Sequence, residues 1–413
     1  MYLAVMGYGT VGSGVVEVLN MNKTQIAQRS TVGKLEVKQI LDLRDFPGDP
    51  NESKFTKDFK DILSDEDIKI VVETMGGLHP AFEFVSDCLK AGKHVVTSNK
   101  ELVAKKGYEL IELAKSNNVN FLFEAAVGGG IPVIRPIEQC LAANDITEIA
   151  GILNGTTNFI LTMMIEKNMT FDDALKLAQE KGYAEKDPTA DIEGFDACRK
   201  ICILATLAFG KHIYPESVST QGITKISLKD IAYVNAYDSV IKLLGVAKKI
   251  SDKKTFVAVY PAVIKNGSQL SSVSDVFNAV LIRGNAVGDV VFYGQGAGKL
   301  PTASAVVADV IDCARNDEKR KPIFWEDAGE DDLVISELSE TAVYIRAKLK
   351  AEKDSAVAEI EEKIGRIELL TYDGAEKDEI AFITERKSEK ELKDAINSIG
   401  EIETISVIRV TDY

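Results

Sequence analysis

Short apolar runs alternate with stretches of helical spacing through the first third of the chain. Tyr2-Leu3-Ala4-Val5-Met6, Leu35 to Leu41, Ile70 to Thr74 and His94 to Thr97 read as short buried strands. Pro80 to Gly92, between the last two, reads as a helix, and such βαβ alternation predicts a parallel sheet. Asn120 to Val127 predicts a further strand. Ile149 to Leu153 leads through the polar turn Asn154-Gly155-Thr156-Thr157-Asn158, a pocket wall or an elaborate N-cap, into a helix at Phe159 to Ile165. After Pro188 the apolar positions Ile192, Phe195, Ile201, Leu204 and Leu207 predict one helix. The charged stretch Asn316 to Lys321 reads as a linker. Beyond it, Leu333 to Val410 holds strand (Thr341 to Leu349), helix (Ala356 to Ile364), strands (Ile367 to Tyr372 and Glu379 to Arg386), helix (Glu389 to Ser398) and strand (Ile402 to Val410). That is the βαββαβ order of a small ferredoxin-like module.

A length of 413 residues predicts two or three domains, at roughly 100–200 residues each. Acidic residues outnumber basic ones 64 to 49, and a net charge of −15 repels phosphate backbones, so nucleic acid is not an expected partner. No apolar stretch approaches the ~20 residues that span a bilayer, and the chain opens on a strand instead of a basic leader, so neither a membrane nor export is expected. The five cysteines (Cys88, Cys140, Cys198, Cys202, Cys313) form no CxxC pair, which fits a reducing, cytoplasmic setting. Cys198 and Cys202 share one helix face, and packing is the expected role of both.

Candidate chemistry gathers at the ends of the predicted strands. Gly7-Tyr8-Gly9-Thr10-Val11-Gly12 stands between the first strand and a helical run. There Gly7 allows the tight turn, Gly9 lets backbone approach a pyrophosphate, and Gly12 lets helix and strand pack. At the end of the second strand, Asp42 suits a free ribose 2′-hydroxyl, whereas Arg44 suits a 2′-phosphate, and the sequence leaves both readings open. Ser98-Asn99-Lys100 follows another strand, where ligands of such sheets lie, and makes Lys100 a candidate. Gly128-Gly129-Gly130 is either an interdomain turn or a loop whose carbonyls hold a hard cation. Asp196 and Lys200, four apart, lie on one face of the predicted helix and set an acid beside a base. Glu185, Asp191 and Glu193 crowd the approach to that helix. On an exposed helix the pair would be only a stabilising ion pair, but Ile201 to Phe209 is too apolar for a surface position.

These motifs, in this order, resemble the homoserine dehydrogenase family over about residues 1–315. The resemblance rests on Gly7 to Gly14, Thr97-Ser98-Asn99-Lys100, Phe123 to Pro132, Gly151 to Leu161, Asp187 to Lys200 and Gly294-Gln295-Gly296-Ala297-Gly298. It implies the reversible, NAD- or NADP-dependent reduction of L-aspartate 4-semialdehyde to L-homoserine, on the route to threonine and methionine. It further implies an α/β chain in three parts. A Rossmann-type parallel-sheet domain takes 1–135 plus about 294–315, an α+β substrate and dimerisation domain takes 136–293, and an ACT-like domain takes 330–413. Lys200 becomes the proton donor and acceptor, Lys100 a second catalytic cation, and Glu185, Asp191 and Asp196 substrate contacts. Gly7, Gly9, Thr10, Val11, Gly12, Arg44, Thr97, Lys100, Gly182 and Gly296 line the cofactor site. Glu124, Val127, Gly129 and Ile131 hold a structural sodium ion, largely through carbonyls. A homodimer or homotetramer is implied. The C-terminal module departs from the ACT pattern where an Asp/Gly-Pro-Gly turn is replaced by Ala351-Glu352-Lys353-Asp354-Ser355.

Two other classes compete with this reading. An aldehyde dehydrogenase working through a thiohemiacetal needs a cysteine beside a base, and neither the cysteines nor His79, His94 and His212 stand in such a pattern. A nucleotide-sensing regulator would bind cofactor without turnover.

Overall fold

The structure is a computed structural model that describes residues 1–30, 33–251, 254–327 and 339–413. The expected opening of the C-terminal module near residue 330, and Leu333 within it, lie outside the described residues. In chain order the first elements are β1 (Tyr2–Met6), α1 (Thr10–Met21), α2 (Lys23–Ser30), β2 (Glu36–Leu41), β3 (Phe55–Thr56), α3 (Phe59–Leu63), β4 (Ile68–Glu73), α4 (Ala81–Lys90), β5 (His94–Thr97), α5 (Lys100–Ser116), β6 (Phe121–Leu122) and α6 (Ala125–Gly128). There follow β7 (Ile146–Ile152), α7 (Gly155–Lys167), α8 (Phe171–Glu180), α9 (Thr189–Ile192), α10 (Phe195–Phe209), β8 (Ser219–Thr220), α11 (Leu228–Ala236), β9 (Ser239–Ser251), β10 (Lys254–Lys265), β11 (Phe277–Gly284), β12 (Gly288–Gln295) and α12 (Lys299–Arg315). The last are β13 (Glu340–Leu349), α13 (Lys353–Ile364), β14 (Ile367–Leu370), β15 (Glu379–Thr384), β16 (Lys387–Ser388), α14 (Glu389–Ser398) and β17 (Ile402–Thr411).

The chain divides into two compact units: residues 1–145, 202–216 and 292–328 in one, and 146–201, 217–291 and 329–413 in the other. In the first, six strands pair in the order β3-β2-β1-β4-β5-β6, and every pairing is parallel. The order reverses at β1, so a crevice opens between the carboxyl ends of β1 and β4, where doubly wound sheets bind dinucleotides. The core joins Val15, Val16 and Leu19 of α1 to Ala303, Val306 and Val310 of α12, with Leu3, Val5, Ile70 and Val72 from the sheet. Two segments far apart in the sequence thus build one domain. The stretch after α12 is fastened, not loose. Asn120 donates to the carbonyls of Asn316 and Lys319, and the Trp325 indole donates to Nδ1 of the buried His212 at 2.8 Å.

In the second unit one sheet runs β12-β11-β7-β9-β10-β17-β13-β15-β14. The C-terminal strands β17-β13-β15-β14 pair antiparallel, in the fourth-first-third-second order that a βαββαβ module produces. Their core is Val343, Ile345, Ile360, Phe382, Leu392 and Ile396. This module is welded to the sheet ahead of it, because β17 pairs parallel with β10 at Ala262–Arg409, Val263–Val410 and Ile264–Thr411. The chain ends on a buried Tyr413 whose hydroxyl donates to Glu148 on β7 at 2.5 Å.

Three elements differ from the sequence reading. The strand expected over 120–127 stops at Leu122, because β6 has only β5 to pair with, and the Glu124 N–H is captured by the Asp309 carboxylate at 2.7 Å. The single helix expected after Pro188 is two, α9 and α10, broken at Gly194. That residue sits at φ +84°, and a side chain there would press on Thr220 and Val259. Lys100, read as a loop residue, is the first residue of a 17-residue helix, capped by Asn99, whose Oδ1 accepts from Leu102 N–H.

Candidate active site

The glycine turn after β1 has the geometry expected of it. Gly7 is at φ +92°, and a Cβ on Gly12 would lie 1.9 Å from the Gly7 carbonyl, so only glycine permits α1 to start this close to the strand. Gly9 precedes α1 with open space where a side chain would be. Thr10 and Val11 follow as the first helical residues, and no acidic side chain occupies that turn. The N–H groups there face no competing carboxylate of their own helix, which suits an anion.

At the end of β2 the two candidates have joined. Asp42 takes the backbone N–H and Nε of Arg44 on Oδ1, both at 3.0 Å, and the Tyr8 N–H and Arg44 Nη2 on Oδ2, at 2.7 and 2.8 Å. The guanidinium beside it holds the Asp42 carboxyl down at about 2. Its four acceptor positions are filled. The Arg44 side chain is 61% exposed and lies over the Phe46 ring.

Thr97 ends β5 fully buried, its hydroxyl donating to Glu73 and accepting from Asn99 N–H. Any contact from Thr97 to a ligand therefore comes from its backbone. Gly129, at φ +56°, packs so tightly that a Cβ would meet the Gly296 carbonyl at 2.2 Å, which brings two of the expected loops together. Both Glu124 oxygens are occupied: Oε1 accepts from Val133 and Ile134 N–H, and Oε2 from Arg135 N–H, at 2.6 to 2.8 Å. Val127 and Ile131 are buried beside that loop. No cluster of three or more His, Cys, Asp or Glu side chains able to hold a metal occurs among the described residues.

In the second unit α10 carries a buried charge pair. Lys200 Nζ lies 2.8 Å from Asp196 Oδ2 and donates to the Leu153 carbonyl at 2.8 Å, with both residues under 10% exposed. Asn154 is the hub that the sequence reading did not single out. Its Nδ2 donates to Asp191 at 2.7 Å and to Asp196 at 3.0 Å, while its Oδ1 caps α7 by accepting from Thr157 N–H. The cap motif Asn-Gly-Thr-Thr was the available signal, but an N-cap does not reveal what the other half of the amide touches. A buried ammonium beside a carboxylate is a large commitment for a fold, since desolvation of both must be offset by their attraction and hydrogen bonds. Glu185 is not part of this knot: it is exposed, on a loop whose Gly182, at φ +75°, faces open space. Cys198 and Cys202 are buried on α10, as packing requires, and burial pushes the Cys88 thiol up to about 12.

Comparison with known proteins gives the family of the chain. The family model described as "Homoserine dehydrogenase" matches residues 132–311, and that described as "Homoserine dehydrogenase, NAD binding domain" matches residues 7–124. The chain belongs to the homoserine dehydrogenase family. It is 40% identical to the homoserine dehydrogenase of Pseudomonas aeruginosa, over 99% of this chain and 98% of that one. The crystal structure of a homoserine dehydrogenase from Thiobacillus denitrificans superposes with a TM-score of 0.90 at 36% identity, covering 100% of this chain and 98% of the other. A hyperthermophilic archaeal homoserine dehydrogenase in complex with NADPH superposes at 0.66 and 28% identity, over 78% of this chain and 99% of its own. Membership makes the chain a nicotinamide-dependent oxidoreductase with a Rossmann-type nucleotide domain. It removes the thiohemiacetal and the non-enzymatic readings. Among the described residues no helix is long and apolar enough to cross a membrane.

Proposed function

We propose that this homoserine dehydrogenase interconverts L-homoserine and L-aspartate 4-semialdehyde, with Lys200 moving the proton. The observation that carries the assignment is the buried Lys200–Asp196 pair, steadied by Asn154 and the Leu153 carbonyl. When bound, the dinucleotide donates or accepts the hydride. Hydride arrival at the aldehyde carbon leaves negative charge on its oxygen, and the Lys200 ammonium stabilises that charge and then gives up its proton; in the oxidative direction the amine takes the hydroxyl proton. Asp196 keeps the ammonium in place. Asp191 and the exposed Glu185 supply anionic groups for the substrate's own ammonium, and Lys100 is the second cation of the reaction.

Gly7, Gly9, Thr10, Val11 and Gly12 cradle the pyrophosphate, while Thr97, Gly182 and Gly296 complete the cofactor site. Asp42, with its acceptor positions filled, does not read a ribose hydroxyl, whereas Arg44, whose Nε and Nη2 are held by Asp42, is 61% exposed and keeps its Nη1 side for a 2′-phosphate. NADP(H) is therefore favoured over NAD(H). A sodium ion fits the loop from Glu124 to Ile131, held by the carbonyl oxygens of Glu124, Val127, Gly129 and Ile131. Three amides already occupy the Glu124 carboxylate, which leaves neutral oxygens as ligands, a donor set suited to a hard monovalent cation. The enzyme is cytoplasmic and pairs as a homodimer or homotetramer, with 136–293 as the dimerisation region and 330–413 as an ACT-like module.

The direct test is absorbance at the reduced-nicotinamide band with homoserine and NADP. Growth of that band is expected, and it should slow at least about 100-fold in Lys200→Ala; full activity in the variant would overturn the assignment of Lys200.

A further inference from the structure

The mechanism above leaves unused a carboxyl that the structure has buried completely. Glu73 is the last residue of β4, has 0% exposure, and lies under the carboxyl edge of the nucleotide sheet. Its Oε1 accepts from the Met75 N–H at 2.8 Å and the Gly76 N–H at 3.3 Å, so it closes the turn that leaves β4. Its Oε2 accepts from the Thr97 hydroxyl at 2.5 Å, so it also reaches the end of β5. The chain of bonds continues. Thr97 Oγ1 accepts from Asn99 N–H at 2.9 Å, Asn99 Oδ1 caps α5, and Asn99 Nδ2 donates to the Gly77 carbonyl at 2.6 Å. The circuit returns to the turn where it began. Gly76 and Gly77 sit at φ +78° and +70°, so the turn has the shape that lets its N–H groups converge on one carboxyl. Thr74 ties this circuit to the pyrophosphate turn, since its hydroxyl donates to the Gly7 carbonyl at 2.8 Å.

In a doubly wound sheet the dinucleotide spans the switch point, with one half over β1 and β2 and the other over the strands beyond it. The glycine turn and the β2 end account for the pyrophosphate and the adenosine side. The loops after β4 and β5 are then the floor of the nicotinamide side. We infer that Glu73 is a positioning residue for hydride transfer: it locks the 74–77 turn to Thr97, Asn99 and the head of α5, and so fixes the nicotinamide end of the cofactor relative to Lys100. This inference rests on the dehydrogenase reading and adds to it a residue that touches neither substrate nor cofactor. Burial raises the Glu73 carboxyl above the usual carboxylate range against the opposing pull of its hydrogen bonds, so an amide of the same shape is the natural conservative replacement.

The test compares Glu73→Ala, Glu73→Gln and Thr97→Val with wild type in four measurements: kcat, the dissociation constant of NADPH, that of 2′-phospho-ADP-ribose, which lacks the nicotinamide, and thermal stability. For Glu73→Ala, kcat is expected to fall about 10- to 100-fold, the cost of a displacement near 1 Å at a reacting centre. NADPH binding should weaken severalfold while the truncated dinucleotide binds within about twofold of wild type. Glu73→Gln should recover most of the loss, because its amide oxygen still accepts from Met75 and Gly76 while its NH2 can donate to Thr97 Oγ1, which keeps that link with its direction reversed, and Thr97→Val, which removes the link altogether, should reproduce the selective loss. Unchanged kcat and NADPH affinity in Glu73→Ala, or equal weakening of both dinucleotides, overturns the inference, the latter by making Glu73 a support of the whole domain. If Glu73→Ala does not fold, Thr97→Val decides on the same criteria. Absence of turnover in wild type would refute the dehydrogenase reading instead, and the two binding constants would still judge Glu73.

Discussion

The glycine turn of the first unit and the charge pair of the second solve different problems, and they were legible to different degrees. The turn works through backbone: what matters is where Gly7 and Gly12 allow the chain to pass and which N–H groups are left open beside Gly9. All of that is local, so six consecutive residues announce it. The pair works through side-chain charge, and its meaning depends on partners far away in sequence. Asp196 and Lys200 lie four apart on one helix, yet the groups that turn them from a surface ion pair into a buried machine are Leu153 and Asn154, more than forty residues upstream. A motif of shape can be read alone, whereas a motif of charge needs its surroundings.

The comparison breaks first at Lys200. If the pair is the proton-handling group, Lys200→Ala should lower kcat by about 100- to 10,000-fold, the range for general acid–base groups, and leave NADPH affinity unchanged in a fluorescence titration. A loss confined to KM would make Lys200 a binding residue only. Asn154→Asp is the finer cut. The carboxylate can still accept from Thr157 N–H and cap α7, but it now faces Asp191 and Asp196 where an amide used to donate. Some loss of stability from that repulsion is expected, with kcat of the folded variant lowered at least tenfold; full turnover in the folded variant would reduce Asn154 to a cap.

On the side of shape, Arg44→Ala should lower kcat/KM with NADPH about tenfold and change it less than threefold with NADH. An equal loss with both cofactors would show that Arg44 serves the fold around Asp42. This position also marks the limit of what the sequence can say. Asp42 and Arg44 are rival readers of the ribose in the sequence, but only the folded chain shows them as one object, a carboxylate filled by the guanidinium two residues on together with the backbone N–H groups of Arg44 and Tyr8. Glu73 reads merely as part of a strand, because nothing in Ile70 to Thr74 reveals that its carboxyl holds two loops. The βαββαβ order of the C-terminal module was readable to within a few residues, since each strand and helix there carries its own period. Its union with the substrate sheet through β10 and β17 was not, because strand pairing across about 150 residues leaves no trace in local pattern. The break at Gly194 was missed for a related reason. Apolar spacing on either side continues in phase, and the glycine is demanded by neighbours from 220 and 259.

The smallest expected effect concerns a second buried lysine, which sharpens the contrast within the substrate unit itself. Lys242, on β9, donates to the Val273 carbonyl at 2.6 Å and to Asn158 Oδ1 at 3.3 Å, two neutral oxygens, where Lys200 has a carboxylate. Burial accordingly pushes the Lys242 ammonium down to about 8. Its folded pKa lies below that of the unfolded chain, near 10.4. Between those two values the unfolded state binds more protons than the folded one, so this group makes the protein more stable as pH rises from about 8 towards 10. Tyrosines held up by burial in the folded protein begin to titrate near pH 10 in the unfolded chain, so the contribution must be isolated by difference. Lys242→Met keeps the length and removes the charge. The unfolding free energy of wild type relative to this variant should rise with pH, by up to about 1 kcal/mol per unit between 8 and 10. Below pH 7 the difference should be flat, because Lys242 is then protonated in both states. A difference that stays flat through pH 10 would mean that the two oxygens hold the ammonium as firmly as a carboxylate would, and the charge at Lys200 would then need no Asp196 to be stable in its place.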